Sequence, residues 1–170
     1  MVKKAILSII ILVITVVIIA AVTVYVVLEQ EKQNIALYEP TDITNVVITL
    51  HRSACFGSCP VYNLTIYGNG TVIYEGRAYV NVTGVQRSTI SEATVRQLLS
   101  AFRTIEYFSL NETEIASHVI YDVPVFTSSL SVNGKTKTIL HYEGTEPDKL
   151  TDLENTIDIL AGSGPWVGHE

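Results

Sequence analysis

Two unlike patterns of apolar and polar residues divide the chain. Residues 5–28 do not alternate at all: 24 residues pass without a charged side chain, and only Ser8, Thr15, Thr23 and Tyr25 carry polar atoms. From residue 43 the chain alternates. Residues 43–52 are β-branched and read as a strand. Residues 61–67 place Tyr62, Leu64 and Ile66 on one face, Gly68-Asn69-Gly70 follows, and residues 71–75 complete a hairpin. Asn-Gly between alternating runs predicts a type I′ turn, with positive φ at both central residues. Gly76 breaks the pattern, residues 77–83 resume it with Ala78, Val80 and Val82 inward, and a short segment covers 87–90.

The period then lengthens to that of a helix. Ser91 is placed as an N-cap, Glu92 suits the first turn, and Val95, Leu98, Leu99 and Phe102 share one face as far as about Ile105. Residues 106–123 are irregular and include the apolar pair Tyr107-Phe108. A second hairpin follows, 125–132 and 135–142 about Asn133-Gly134. Pro147 opens a last helix whose stripe is Leu150, Leu153, Ile157 and Leu160, and Gly162 ends it. Residues 163–170, with Trp166, read as a tail. Two hairpins and two amphipathic helices predict an α+β domain, a mostly antiparallel sheet with the helices on one face.

A helix over 5–28 spans about 36 Å, enough to cross a bilayer core of about 30 Å. Apolar on every face, it does not suit a soluble surface helix. It is also longer than a signal-peptide core of about 7–15 residues, and Ile19-Ala20-Ala21 runs on into β-branched residues, not a polar mature start. The reading is an uncleaved anchor at 1–28, a stalk at 29–42 stopped by Pro40, a domain at 43–162 and the tail. Lys3 and Lys4 precede the span while Glu29, Glu31 and a single Lys32 follow it, so the positive-inside bias puts the N-terminus in the cytoplasm and the domain outside. An even cysteine pair and four N-x-T sequons (Asn63, Asn69, Asn81, Asn111) agree with an exterior location.

Beyond Glu29 the chain carries 16 acidic and 9 basic residues, a net charge of −7, with no basic cluster. That composition argues against nucleic acid as a partner and against adsorption to anionic lipid heads. The four histidines (His51, His118, His141, His169) are scattered and read as exposed strand or tail residues. No metal site or cofactor is expected. Standard catalytic patterns such as G-x-S-x-G, H-E-x-x-H or a P-loop are missing, and most carboxylates fall on solvated helix faces.

One segment is distinctive: Arg52-Ser-Ala-Cys55-Phe56-Gly57-Ser-Cys59-Pro60-Val-Tyr62, then Leu64, Ile66 and Asn69-Gly70. It resembles the prokaryotic family called domain of unknown function 6438, marked by R-x-x-C-[FY]-G-x-C-P-x-Y followed by L-x-I-x-x-[DN]-G. The resemblance covers about residues 43–162, including Asp122-Val-Pro124. It implies a secreted or membrane-attached domain and no assigned activity.

The cysteines, five residues apart inclusive in a Gly-containing turn, can reach disulfide range, about 4.4–6.8 Å between Cα atoms. Closing so small a loop stabilises by about 2 kcal/mol in the chain-entropy model. A structural staple is therefore the leading reading. The alternative is a redox site in which His51 and Arg52 lower a thiol pKa, although C-x-x-x-C before a strand differs from the thioredoxin setting. Arg52 beside the loop invites a functional role, or a salt bridge such as one to Asp122; Asp122 itself reads first as a turn residue before Pro124. Tyr67 and Tyr79 are expected to face away from the core.

Overall fold

The computed structural model describes residues 2–145 and 147–168, so His169 lies outside the described residues. The chain divides into two compact units, Met1–Leu37 and Tyr38–Glu170.

The first unit is the body of one helix, α1 (Val2–Tyr38). Ile10–Tyr38 is long and apolar enough to cross a membrane, with a mean hydropathy of 3.1 over its most apolar 18 residues. Thr15 and Thr23 each donate a hydroxyl to the carbonyl three residues back, at 2.8 Å, so neither needs water as a partner. The helix runs unbroken through the expected stalk and stops at Tyr38, two residues before Pro40.

The second unit is built on one antiparallel sheet, in the order β4-β3-β2-β1-β5-β6. The strands are β1 (Val47–Arg52), β2 (Val61–Tyr67), β3 (Thr71–Ala78), β4 (Gly84–Thr89), β5 (Val125–Val132) and β6 (Lys135–Tyr142). Helix α2 (Glu92–Thr104) buries its stripe, while α4 (Asp148–Ala161) buries Leu150, Leu153 and Ile157 with Ala161 in place of the expected Leu160, which is half-buried. The short helices α3 (Glu112–Ser117) and α5 (Gly164–Val167) complete the unit. Strict alternation sends Ile48, Leu50, Leu64, Ile66, Val72, Tyr74, Phe126, Leu130 and Ile139 to one covered face, where each is at most 2% exposed. The α+β expectation holds, with all neighbouring strands antiparallel.

Helix α2 starts as its sequence reads, with Ser91 Oγ accepting the Thr94 N–H at 3.1 Å. The second hairpin takes the type I′ form, with Asn133 at φ 49° and Gly134 at φ 74°. The first hairpin does not. There only Gly70 has positive φ, Gly70 N–H closes on the Tyr67 carbonyl at 2.9 Å, and Gly68-Asn69-Gly70 form a three-residue connection.

Other expectations shift. Strand β1 begins at Val47, because Asp42 Oδ1 accepts the Thr44 N–H at 2.8 Å and Ile43–Val46 close a turn. Gly76 does not break β3 but lies within it: a Cβ there would sit 2.1 Å from the Val82 carbonyl oxygen, so only glycine lets that segment cross so closely. Residues 79–83 therefore form a bend, not a strand, and the edge strand is β4. Residues 106–123 hold a 3-10 turn at Tyr107–Ser109 and α3. The tail is packed, with Val167 4% exposed and Trp166 5.3 Å from the Tyr74 ring.

The compact unit starts at Tyr38, earlier than the expected domain boundary. Tyr38 is buried, stacks on Phe108 at 5.6 Å and accepts the Phe108 N–H through its hydroxyl at 2.9 Å. Lys137 reaches the Phe108 carbonyl at 3.2 Å and sits in the cross-strand row of Leu130 and Ile48. The chain thus enters this unit near the start of β1, while Arg52 and the cysteine loop lie at the other end of that strand.

Candidate functional site

The signature residues sort by strand parity. Arg52 follows Ile48 and Leu50 onto the covered face, and the register aligns Gly76, Tyr62, Arg52, Phe126 and His141 in one row across five strands. Helix α4 offers this row Glu154 and Asp158, one turn apart on one helix face.

Asp158 is the hub. Its Oδ2 accepts Arg52 Nε at 3.0 Å, Arg52 Nη2 at 2.7 Å and the Tyr62 hydroxyl at 2.6 Å. Its Oδ1 accepts the Ser163 hydroxyl at 2.7 Å. Arg52 also donates to Asn155 Oδ1 at 3.0 Å, and its guanidinium carbon lies 4.2 Å from the Phe126 ring centroid. Of the two roles the sequence offered Arg52, a functional one or a salt bridge such as one to Asp122, the structure shows a salt bridge, but to Asp158, because parity turns Arg52 beneath the sheet while Asp122 lies beside the loop. Burial works against the Arg52 charge, but Asp158, Tyr62 and Glu154 together outweigh it and leave the pKa raised. Burial, then the Asp158 charge, pushes the Tyr62 hydroxyl far up, so it acts as a fixed donor.

His141, expected to be an exposed strand residue, is fully buried in this row. Its Nε2 lies 2.9 Å from the Thr145 carbonyl, which only accepts, so Nε2 carries a proton. Its Nδ1 lies 3.1 Å from Glu154 Oε2, and that contact requires one proton between the two groups. Burial alone would lower the His141 pKa; the Glu154 hydrogen bond and the Thr145 carbonyl reverse this and raise it. Burial raises Glu154. Glu154 Oε1 is buried without a protein partner among the described residues, a lighter burden for a protonated carboxyl than for a carboxylate.

Tyr62, His141 and Glu154 are at most 1% exposed, while the side chains of Arg52 and Asp158 are 15% and 17% exposed. The cluster is a clamp that locks α4 to the end of the sheet from which the cysteine loop departs. Sequence reasoning missed Glu154, Asp158 and Ser163. The available signal was Leu150-Glu154-Asp158, an i, i+4 row alongside the apolar stripe.

The loop itself is closed by the Cys55–Cys59 disulfide, with Cα atoms 5.7 Å apart. Ser53 N–H donates to the Val125 carbonyl at 2.9 Å, Val125 N–H returns to Ser53 Oγ at 2.8 Å, and Phe56 N–H donates to the Asp122 carbonyl at 3.3 Å. Asp122 therefore holds the loop by its backbone. Pro60 is half-buried at the entry to β2 and Gly57 is exposed at the tip. Phe56 is 87% exposed and Tyr121 84%, with Val119 and Ile120 exposed beside them. The two residues suggested as thiol activators point apart: Arg52 is held by Asp158 on the covered face, His51 by Asn63 on the open one.

The sequons differ in accessibility. Asn63 is half-buried and engaged through both side-chain atoms. Asn69 accepts the Thr71 N–H in the hairpin turn at 3.0 Å, Asn81 packs against the C-terminal segment, and Asn111 is exposed. Tyr67 and Tyr79 face outward as expected, at 37% and 60% exposure. His118 is exposed.

No curated protein matches this sequence. The profile of the family described as Domain of unknown function (DUF6438) matches residues 46–161, taking in the disulfide loop, all six strands and every clamp residue but Ser163. The chain belongs to that family.

Proposed function

We propose that this is a single-pass membrane protein whose 5–28 segment is the anchor, with its N-terminus in the cytoplasm and its α+β domain outside, acting as a protein-binding module. The contact surface is the stapled loop with the adjoining 119–121 segment. One observation carries this reading: Phe56 and Tyr121 project almost fully exposed from a backbone that the disulfide, three hydrogen bonds and the buried clamp tie down. Exposed aromatic side chains on a tied backbone present apolar area at low entropic cost, as binding hot spots do. The disulfide favours an oxidising exterior. Of the sequons, Asn69, Asn81 and Asn111 fit modification better than Asn63.

Site-specific photo-crosslinking in cells tests this. A probe at position 56 is expected to yield one defined adduct, absent from a probe at exposed Ile159 on α4 and lost from the position-56 probe when Tyr121 becomes Ser. Equal crosslinking from both positions would discard the loop as a contact surface. Thiol labelling of single-cysteine variants at Lys3 and Ser100 in intact cells tests orientation; labelling at position 100 only is expected.

The rival reading is thiol–disulfide exchange, favoured by the exposed residues Ala54, Phe56, Gly57 and Ser58 flanking the half-buried cysteines. A reduction potential below about −300 mV would mark the bridge as structural, and one near about −200 mV would make the loop a redox centre.

A further inference from the structure

The face of the sheet turned away from α2 and α4 carries a second polar arrangement. His51, Asn63 and Glu75 are direct register partners on β1, β2 and β3, and all three side chains rise from this open face. They form a relay. Asn63 Nδ2 donates to Glu75 Oε2 at 2.9 Å, which turns Asn63 Oδ1 towards His51 Nδ1 at 2.6 Å. Oδ1 only accepts, so Nδ1 carries the proton, and neutral His51 keeps its acceptor lone pair on Nε2. Nε2 has no protein partner among the described residues. Asn63's hydrogen bond, then Arg77, holds Glu75 below the usual carboxylate range, so it stays ionised.

The relay borders a shallow depression lined by Thr49, His51, Asn63, Thr65, Ile73 and Glu75. Its polar atoms are mainly acceptors with fixed directions, His51 Nε2 and the second Glu75 oxygen, beside two threonine hydroxyls. The cation paired at the site, Arg77, is already taken by Glu75 Oε2 at 3.4 Å, so an anionic ligand would meet a neutralised pair in a domain of net charge −7. A metal ion is a poor fit, since His51 and Glu75 stand two strands apart, about 9.6 Å, too far to share one ion. The chemistry left is a neutral ligand that donates several hydroxyls and offers a C–H face to Ile73.

We infer that the His51–Asn63–Glu75 relay is a binding site for neutral saccharide. The inference is independent of the loop reading and uses a different face of the sheet. A hydroxyl of the ligand donates to His51 Nε2, a second donates to Glu75, and the threonines exchange hydrogen bonds with its rim.

The test uses the full chain in phosphatidylcholine nanodiscs, probed with neutral oligosaccharides (cellobiose, chitobiose, maltose and mannobiose), with glucuronate and inorganic phosphate as anionic contrasts. At least one neutral disaccharide is expected to bind and to shift the His51 imidazole ¹⁵N signals in a spectrum that reports Nδ1–H. Binding should weaken about tenfold in His51→Gln and in Glu75→Gln, the effect of one lost hydrogen bond to a fixed partner. It should be unchanged in Phe56→Ala. Thr65→Val, which leaves the relay intact, guards against a folding defect and should weaken binding by a smaller factor. Binding by anions alone, by none of the disaccharides, or equally by His51→Gln and wild type would overturn the assignment.

Discussion

The two ends of one sheet face are built from opposite materials. At the end where the chain enters, the row Val72, Ile66, Ile48 and Leu130 is apolar and buried, and only its β6 member, Lys137, is polar, its ammonium turned to the Phe108 and Leu110 carbonyls. Two rows along the same strands, the face carries Tyr62, Arg52, Phe126 and His141, met by Asp158 and Glu154 from α4. The first end is held by area removed from water, which is insensitive to direction. The second depends on complete pairing, because a buried charge without its partner costs more than a missing methyl group. A charged row is a poor way to gain stability and a good way to fix one geometry. The geometry fixed here is the root of the cysteine loop.

The largest effect should come from unpairing the charged end. Asp158→Ala removes the carboxylate that neutralises Arg52 and accepts from Tyr62, leaving Arg52 only the neutral Asn155 and Ser163 only a backbone carbonyl, and a loss of about 3–5 kcal/mol is expected. Urea denaturation followed by the fluorescence of Trp166, the single tryptophan, measures it. The comparison sharpens in the double variant Arg52→Met/Asp158→Leu, which should recover most of that loss while changing the loop. Ile66→Ala at the apolar end should cost about 2–5 kcal/mol with no effect on the loop. If Asp158→Ala is nearly neutral, the clamp reading is wrong.

Next in size, replacing both cysteines by serine should destabilise the domain by about 2 kcal/mol, because the closed loop is small. A change near zero would mean that the backbone bonds of Ser53 and Phe56 already hold the loop without the bridge.

A smaller effect separates the ends by pH. His141 has a raised folded pKa, so its contribution is whole below the unfolded value of 6.5 and is lost as pH rises through the folded value. Over that window the unfolded pair has released a proton that the folded pair still holds. The stability measured by urea denaturation, and with it the urea midpoint, should therefore fall as pH rises above about 6.5. Glu154→Gln, which can still donate to Nδ1, should flatten the slope. A midpoint that rises across this range would contradict the shared proton.

The smallest stability effect belongs to the loop tip. Phe56→Ala should change stability by no more than about 0.5 kcal/mol, since the ring is 87% exposed. Its consequence is expected in partner crosslinking alone.

Local rules made much of this molecule legible without coordinates. The absence of charge over 5–28 defines a helix that can cross a membrane, because length and hydropathy are additive along a chain. Alternation and Asn133-Gly134 set the β5–β6 hairpin to the residue, and Ser91 set the start of α2, since turn and cap chemistry act within a few positions. The close cysteine pair was readable as a bridge for the same reason. Where distant segments meet, local rules ran out. Gly76 looked like a break because the Val82 carbonyl that excludes a side chain there comes from a later bend. His141 and Glu154 looked solvated because their burial depends on α4 crossing β6, and Arg52 could not be matched to Asp158 across 106 residues. The relay of His51, Asn63 and Glu75 likewise exists only through the register of three strands. Periodicity and capping are properties of neighbours in sequence, and they determined the elements. The pairing of charges is a property of neighbours in space, and only the tertiary structure decided it.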